Sequence, residues 1–329
     1  METLKTEPMP RPEASDEKRP RRVWKPSWLT WTIGVCGLLG LTILLYPTAA
    51  SWVTQYNQSQ ITGDYDSQVE HADPDATEQL EMAARYNAAL TSGVDLAPNA
   101  NIPTGTGTSS DAGLDYERVL SVDDTGLMAR LMIPAIDVDL PIYHGTDDET
   151  LLHGVGHLQG SHLPVGGEGT HSVLTAHRGL ASARMFTDLD QLKEGDTFSI
   201  QVFGEVLTYR VRNTKVVAPD QTDSLRAEPG EDLVTLVTCT PLGINTHRIL
   251  VTGERITPTP ASDLDRANRP PEVPRFPWWL AILIAGTAGL TAYVWRAGFV
   301  DPKVAAARRP ADASEQDALA TEDFDDNDV

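Results

Sequence analysis

"EDLVTLVTCTPLGINTHRILVTGER", Glu231 to Arg255, decides how this chain is read. Two β-branched apolar runs, Leu233 to Thr238 and Arg248 to Arg255, flank a turn-rich "TPLGINT", so the stretch predicts two neighbouring strands. Side chains alternate along a strand, which puts Cys239 on a face with Val237 and Thr235, or else where the strand gives way to the loop. Antiparallel pairing across so short a loop brings Arg248, near the start of the second strand, close to Cys239 on the same face. A guanidinium there favours thiolate, or stabilises the oxyanion formed when that thiolate attacks a carbonyl. Plainer readings stand beside this one: a small buried cysteine and a surface arginine.

Working outward, further short β-branched runs broken by turn residues predict strands at Leu127 to Ile133, Val138 to Ile142, His171 to Ala176, Phe198 to Phe203 and Val206 to Val217. "FGEV" predicts a tight hairpin turn at Gly204 and Glu205. Within this region only "SARMFTDLDQL" reads as a short helix. So many short strands in so short a region define a mainly β domain, a closed barrel or a sandwich. Upstream, Leu80, Met82, Ala83, Tyr86 and Leu90 recur at near-helical spacing and predict a helix from about Asp75 to Leu90. Thr91 to Gly113 is rich in Gly, Pro, Ser, Thr and Asn and reads as a long loop, either a linker or a functional cover.

Two uncharged apolar runs bracket the β region, Trp28 to Tyr46 and Trp278 to Trp295. Each is long enough to cross a bilayer as a helix, with Trp and Tyr at headgroup level. The first is long for a cleaved signal peptide, so an anchor is expected. Lys18, Arg19, Arg21, Arg22 and Lys25 precede it, which by the positive-inside rule holds the N-terminus in the cytoplasm and puts the β region outside. Arg296, Lys303, Arg308 and Arg309 follow the second. The expected organisation is a cytoplasmic tail (1–27), a span (28–46), an external helix and lid or linker (47–126), a β domain (127–256), a Pro-rich linker (257–276), a second span (277–295) and an acidic tail (296–329). The net charge of −21 divides as +2 over residues 1–27, −5 over 296–329 and −18 over the remainder. An acidic external domain argues against nucleic acid or anionic lipid as its ligand.

Of two cysteines, Cys36 lies in the first apolar run, so Cys239 is the single external thiol and an intrachain disulfide framework is excluded. A buried small residue, an intermolecular bridge or a reactive thiol remain. A thiol nucleophile needs a proton-transfer partner, and His177 in "SVLTAHRGL" ends an apolar strand just before a glycine turn, where a β scaffold presents catalytic groups. His144, His153, His157, His162 and His171 lie in turn-rich sequence and read as surface or hydrogen-bonding residues. His247 is expected on the face opposite Arg248. No spacing among these residues suggests a zinc site, and no metal or cofactor is expected.

"TAHRG", "TLVTCTP" and "NTHRILVTGER", in this order, closely resemble the sortase family of membrane-anchored cysteine transpeptidases. "LPIYHGTDDETLLHGVGHLQGSHLPVGG" and "HSVLTAHRGLASARMFTDLDQLKEGDTF" are similar to its class C, pilus-building branch. The resemblance covers about Leu127 to Arg255. It implies a closed eight-stranded sortase barrel with short helices, flanked by two membrane helices, in the cell membrane of a Gram-positive-type bacterium. It further implies His177 as general acid and base, Cys239 as nucleophile and Arg248 as the oxyanion-stabilising residue. The implied substrates are pilins or surface proteins with LPXTG-like signals, and the acceptor is a pilin lysine or, in the anchoring branch, a peptidoglycan precursor. The rival readings are a catalytically idle surface-protein binder and a cysteine peptidase that prefers water. One departure is expected to matter: the branch carries an Asp-Pro-aromatic plug in its lid, and Thr91 to Gly113 offers only "VDLAPN".

Overall fold

Eight strands form the β region: β1 (Leu127–Ile133), β2 (Val138–His144), β3 (Val155–His157), β4 (Thr170–Thr175), β5 (Thr197–Val202), β6 (Glu205–Val217), β7 (Asp232–Thr240) and β8 (His247–Ile256). They close into a barrel in the order β1-β2-β3-β4-β7-β8-β6-β5, with β5 pairing back onto β1, so the sandwich alternative falls away. Two pairs, β2–β3 and β4–β7, are parallel. The remainder are antiparallel. This computed structural model describes residues 23–90, 114–221 and 223–300. Thr91 to Gly113, residues 1–22 and residues 301–329 lie outside the described residues, and with them the lid or linker and most of both tails.

The period of two along each strand sorts the side chains into two apolar groups. Val234, Leu236, Leu174, Ile249, Val251, Ile200 and Phe198 fill the barrel interior. The opposite face of β4, β7 and β8 carries Val173, Val237 and Leu250, which pack with Leu158 and Leu225. Fully burying a side chain of this size stabilises by about 1.5–3 kcal/mol. With both faces covered, these strands read as apolar runs, as the sequence suggested.

Corrections come at the turns. The β5–β6 turn is Phe203 and Gly204, with Val202 paired to Glu205, one residue earlier than expected. Both turn residues are left-handed (φ +45° and +86°), the geometry that matches a hairpin's twist. The ring of Phe203 is buried in the core, which offsets the roughly 1–2 kcal/mol that a left-handed non-glycine costs. "SARMFTDLDQL" is not a helix beyond one 3-10 turn, Leu189–Gln191. Met185 sits at φ +41°, and the Thr187 hydroxyl takes the Arg184 carbonyl that an α-helix needs. Its apolar residues Met185, Phe186, Leu189 and Leu192 are nonetheless buried. The three-residue β3 and the short helix α3 (Asp148–His153) are absent from the sequence reading, being too short to show a period.

The described chain forms two compact units. In the first, the opening half of a 43-residue helix, α1 (Trp28–Glu70), packs against most of a 20-residue helix at Trp278–Ala297. Gly34 and Gly37 face Val294 and Leu290, and Gly286 faces Leu41, so small residues let the two helices approach closely. The second unit holds the barrel. There the apolar run has ended but α1 has not: Tyr65, fully buried, donates to the Met128 carbonyl (3.0 Å) and accepts from Phe203 N (2.9 Å). α2 (Ala76–Ala89) fits the predicted helix, with Asp75 capping Glu78 N at 3.0 Å and Ala83 and Tyr86 in the core. The stretch expected as a Pro-rich linker opens with a further short helix, Ala261–Ala267, whose buried Asp263 accepts from Thr208 at 2.9 Å.

Candidate active site

Cys239 and Arg248 are directly paired across β7 and β8. They lie at the strand ends nearest the connecting loop, on the outward face with Val237 and Leu250. Arg248 is 3% exposed and Cys239 half-buried; neither cysteine of the chain is in a disulfide. Nη1 of Arg248 donates to the carbonyls of Asn245 (2.9 Å) and His247 (3.1 Å), which fixes the plane of the guanidinium. Asn245 can offer that carbonyl because it is left-handed (φ +59°), in a turn closed by bonds from Ile244 N and Asn245 N to Pro241 O.

His177 reaches the same end from β4, the parallel neighbour of β7. Thr175 pairs with Val237, so His177 and Cys239 each lie two residues beyond one matched pair. Ala176 ties the two strands there, its N–H bonding Val237 O (3.2 Å) and its carbonyl accepting from Thr238 Oγ1 (2.8 Å). Leu242 packs over Gly179, so the loop after the thiol touches the turn after the imidazole.

The electrostatics follow from burial. Burial pushes the Cys239 thiol above its ordinary value, and the Arg248 charge opposes this. Burial also holds His177 below the ordinary imidazole range, with Asp148 of α3 opposing. At neutral pH the resting pair is therefore a thiol and a neutral imidazole, and Arg248 is the charge that assists thiolate formation.

The other histidines do different work. His144 bonds the carbonyls of Gly126 and Val119, and His171 bonds Arg226 O and Thr235 Oγ1, so both are buried hydrogen-bonding residues. His157 is wholly buried, whereas His153 and His247 are exposed. No group of His, Cys, Asp and Glu suited to a metal ion occurs among the described residues. Sequence reasoning passed over Arg178, Asn245 and Thr240; the only signal was their adjacency to His177, Arg248 and Cys239 in the quoted motifs.

A closed mixed barrel that sets a thiol, an imidazole and a buried guanidinium together at the ends of three neighbouring strands has the form of a cysteine acyl-transfer enzyme. The family model described as Sortase domain matches residues 131–256. Sortase D of Bacillus subtilis (strain 168) is 30% identical over 156 residues, 46% of this chain and 76% of the relative. Among solved structures, sortase C-1 from Actinomyces oris is 50% identical with a TM-score of 0.50, covering 55% of this chain and 98% of that one. Sortase C from Streptococcus pneumoniae is 37% identical with a TM-score of 0.53, covering 61% and 98%. The chain belongs to the sortase family, whose members are cysteine transpeptidases.

Proposed function

We propose that this enzyme cleaves an LPXTG-like sorting signal through a Cys239 thioester and passes the acyl group to a pilin lysine. The observation that carries the reading is the Cys239–Arg248 cross-strand pair with His177 at the end of the adjoining strand. Sγ of Cys239 gives its proton to His177 and attacks the Thr carbonyl carbon of the signal. The guanidinium of Arg248 stabilises the oxyanion that forms. As the C–N bond breaks, His177 returns the proton to the departing glycine amine, and a thioester remains. An incoming lysine amine then attacks, His177 takes its proton, and the thiol is restored as the isopeptide bond forms. The thioester conserves the reactivity of the cleaved amide, so no ATP is required. The acceptor assignment is supported by the likeness to the Streptococcus pneumoniae sortase C, whose structure bears on pilin substrate specificity. The two apolar helices support a membrane-anchored enzyme with an external barrel.

Incubation with a labelled LPXTG peptide and either a pilin-type lysine peptide or a peptidoglycan-type amine tests this. The wild-type chain is expected to form an adduct on Cys239 and to prefer the lysine peptide, and Cys239→Ala to do neither. Full transfer by Cys239→Ala sinks the mechanism, and preference for the peptidoglycan amine moves the enzyme to the anchoring branch.

A further inference from the structure

Arg178 follows His177, and its guanidinium joins that turn to the Thr187–Asp190 stretch and to the end of β7. Nε donates to the Thr187 carbonyl (3.0 Å), Nη1 to the hydroxyl of Thr240 (3.0 Å), and Nη2 pairs with Asp190 (2.7 Å). The Arg178 side chain is 9% exposed whereas that of Asp190 is 50% exposed, so the fork is held inside the loop and only its counter-ion meets water. Around it, Phe186 N bonds His177 O (3.1 Å) and Gly179 N bonds Thr187 Oγ1 (3.2 Å). The loop that carries the imidazole is thus folded on itself, and of these contacts the Arg178–Thr240 bond is the one that reaches the strand of the thiol. Thr240 is the residue after Cys239.

We propose that Arg178 is a positioning residue for the transfer reaction, fixing the gap between His177 and Cys239 by tying the histidine turn to Thr240. This rests on His177 and Cys239 as the reacting pair. Proton transfer between two groups on different strands depends on their separation, and a small misplacement from a change off the reacting atoms lowers turnover by one to two orders of magnitude. The Arg178 charge is paired with Asp190, and each guanidinium nitrogen already has a partner within the protein. Loss of Arg178 therefore acts on kcat rather than KM. Lysine is no substitute, because one ammonium cannot meet three acceptors set around a planar fork.

The test uses the full chain in detergent micelles, an LPXTG peptide and hydroxylamine as acceptor. Thr240→Val removes the one acceptor with little change of shape, and is expected to lower kcat about tenfold with KM within about twofold. Arg178→Gln and Arg178→Lys are expected to lose at least as much. The double variant Arg178→Gln/Thr240→Val should be no worse than Arg178→Gln alone, because both remove one bond. The rate of Cys239 alkylation by iodoacetamide should stay near wild type throughout. Wild-type kcat in Thr240→Val, a raised KM at unchanged kcat, or multiplying losses in the double variant overturns the proposal. Should the Arg178 variants not fold, Thr240→Val decides alone. Transfer by Cys239→Ala, in contrast, overturns the assignment of the nucleophile.

Discussion

At the scale of single residues, the site joins a thiol raised by burial to an imidazole lowered by burial. In the proposed mechanism the productive thiolate–imidazolium pair is a minor form. Raising the pH makes thiolate and removes imidazolium in equal measure, so its fraction is flat between the two shifted values and falls outside them. kcat/KM is accordingly expected to be level across neutral pH. In the proposed mechanism Arg248 acts on this pair by charge and on the oxyanion by geometry, and the two roles separate in Arg248→Lys. Charge is kept, so Cys239 alkylation should slow little; the planar fork is lost, so turnover should fall about a hundredfold. Wild-type turnover with lysine means that charge alone is sufficient and the fork is not used.

At the scale of elements, what the sequence made legible follows periodicity. β1 coincides with its predicted span, and the other expected strands agree to within a residue or two at each end, because burial on both faces leaves long β-branched runs. Cys239 and Arg248 were legible as a pair because a short antiparallel connection fixes their register. His177 was legible because it ends an apolar strand, but its adjacency to Cys239 depends on the parallel β4–β7 pairing, a long-range contact that no local pattern encodes. The Arg178–Thr240 bond is of the same non-local kind. Ser182 to Leu192 misled because its buried residues imitate helical spacing while Met185 breaks the backbone. The two apolar helices are legible by length alone, and α1, at about 65 Å, is longer than the roughly 30 Å hydrocarbon layer. We expect both chain ends inside: a protease added to intact cells should cut within residues 47–276 and spare an epitope at either terminus. Cleavage of a C-terminal epitope from outside means that Trp278–Ala297 does not span.

For the molecule as a whole, a buried polar chain runs from Tyr116 through β3, β4 and β7 to Thr252 on β8. His157 Nε2 donates to His162 O (2.9 Å), its Nδ1 meets Tyr116 OH (2.9 Å), and Tyr116 OH accepts from Gly145 N (3.0 Å). His162 Nδ1 accepts from His171 N, and His171 Nε2 bonds Thr235, which bonds Thr252. With its proton on Nε2, a neutral His157 supplies the donor that the His162 carbonyl needs, while the Tyr116 hydroxyl lies within hydrogen-bond distance of both Nδ1 and the His157 carbonyl. Burial holds His157 down to about 3 from an ordinary 6.5, and also lowers His162 and His171. Because the unfolded chain protonates these rings first, their effect on stability is absent above about pH 6.5 and grows as pH falls toward the folded values. For His157 the window runs from 6.5 to about 3, with a limiting slope of about 1.4 kcal/mol per pH unit and a total of a few kcal/mol. Asp66 and Asp232, raised by burial, act in the opposite sense over the lower part of that window, so a difference between two chains isolates the histidine. His157→Gln, in the full chain in micelles, is expected to be less stable than wild type at pH 7.5 and to lose less Tm between pH 6.5 and 4. A wild-type slope in the variant means that His157 takes up its proton in the folded barrel, and that the Tyr116–His157–His162 chain opens without unfolding.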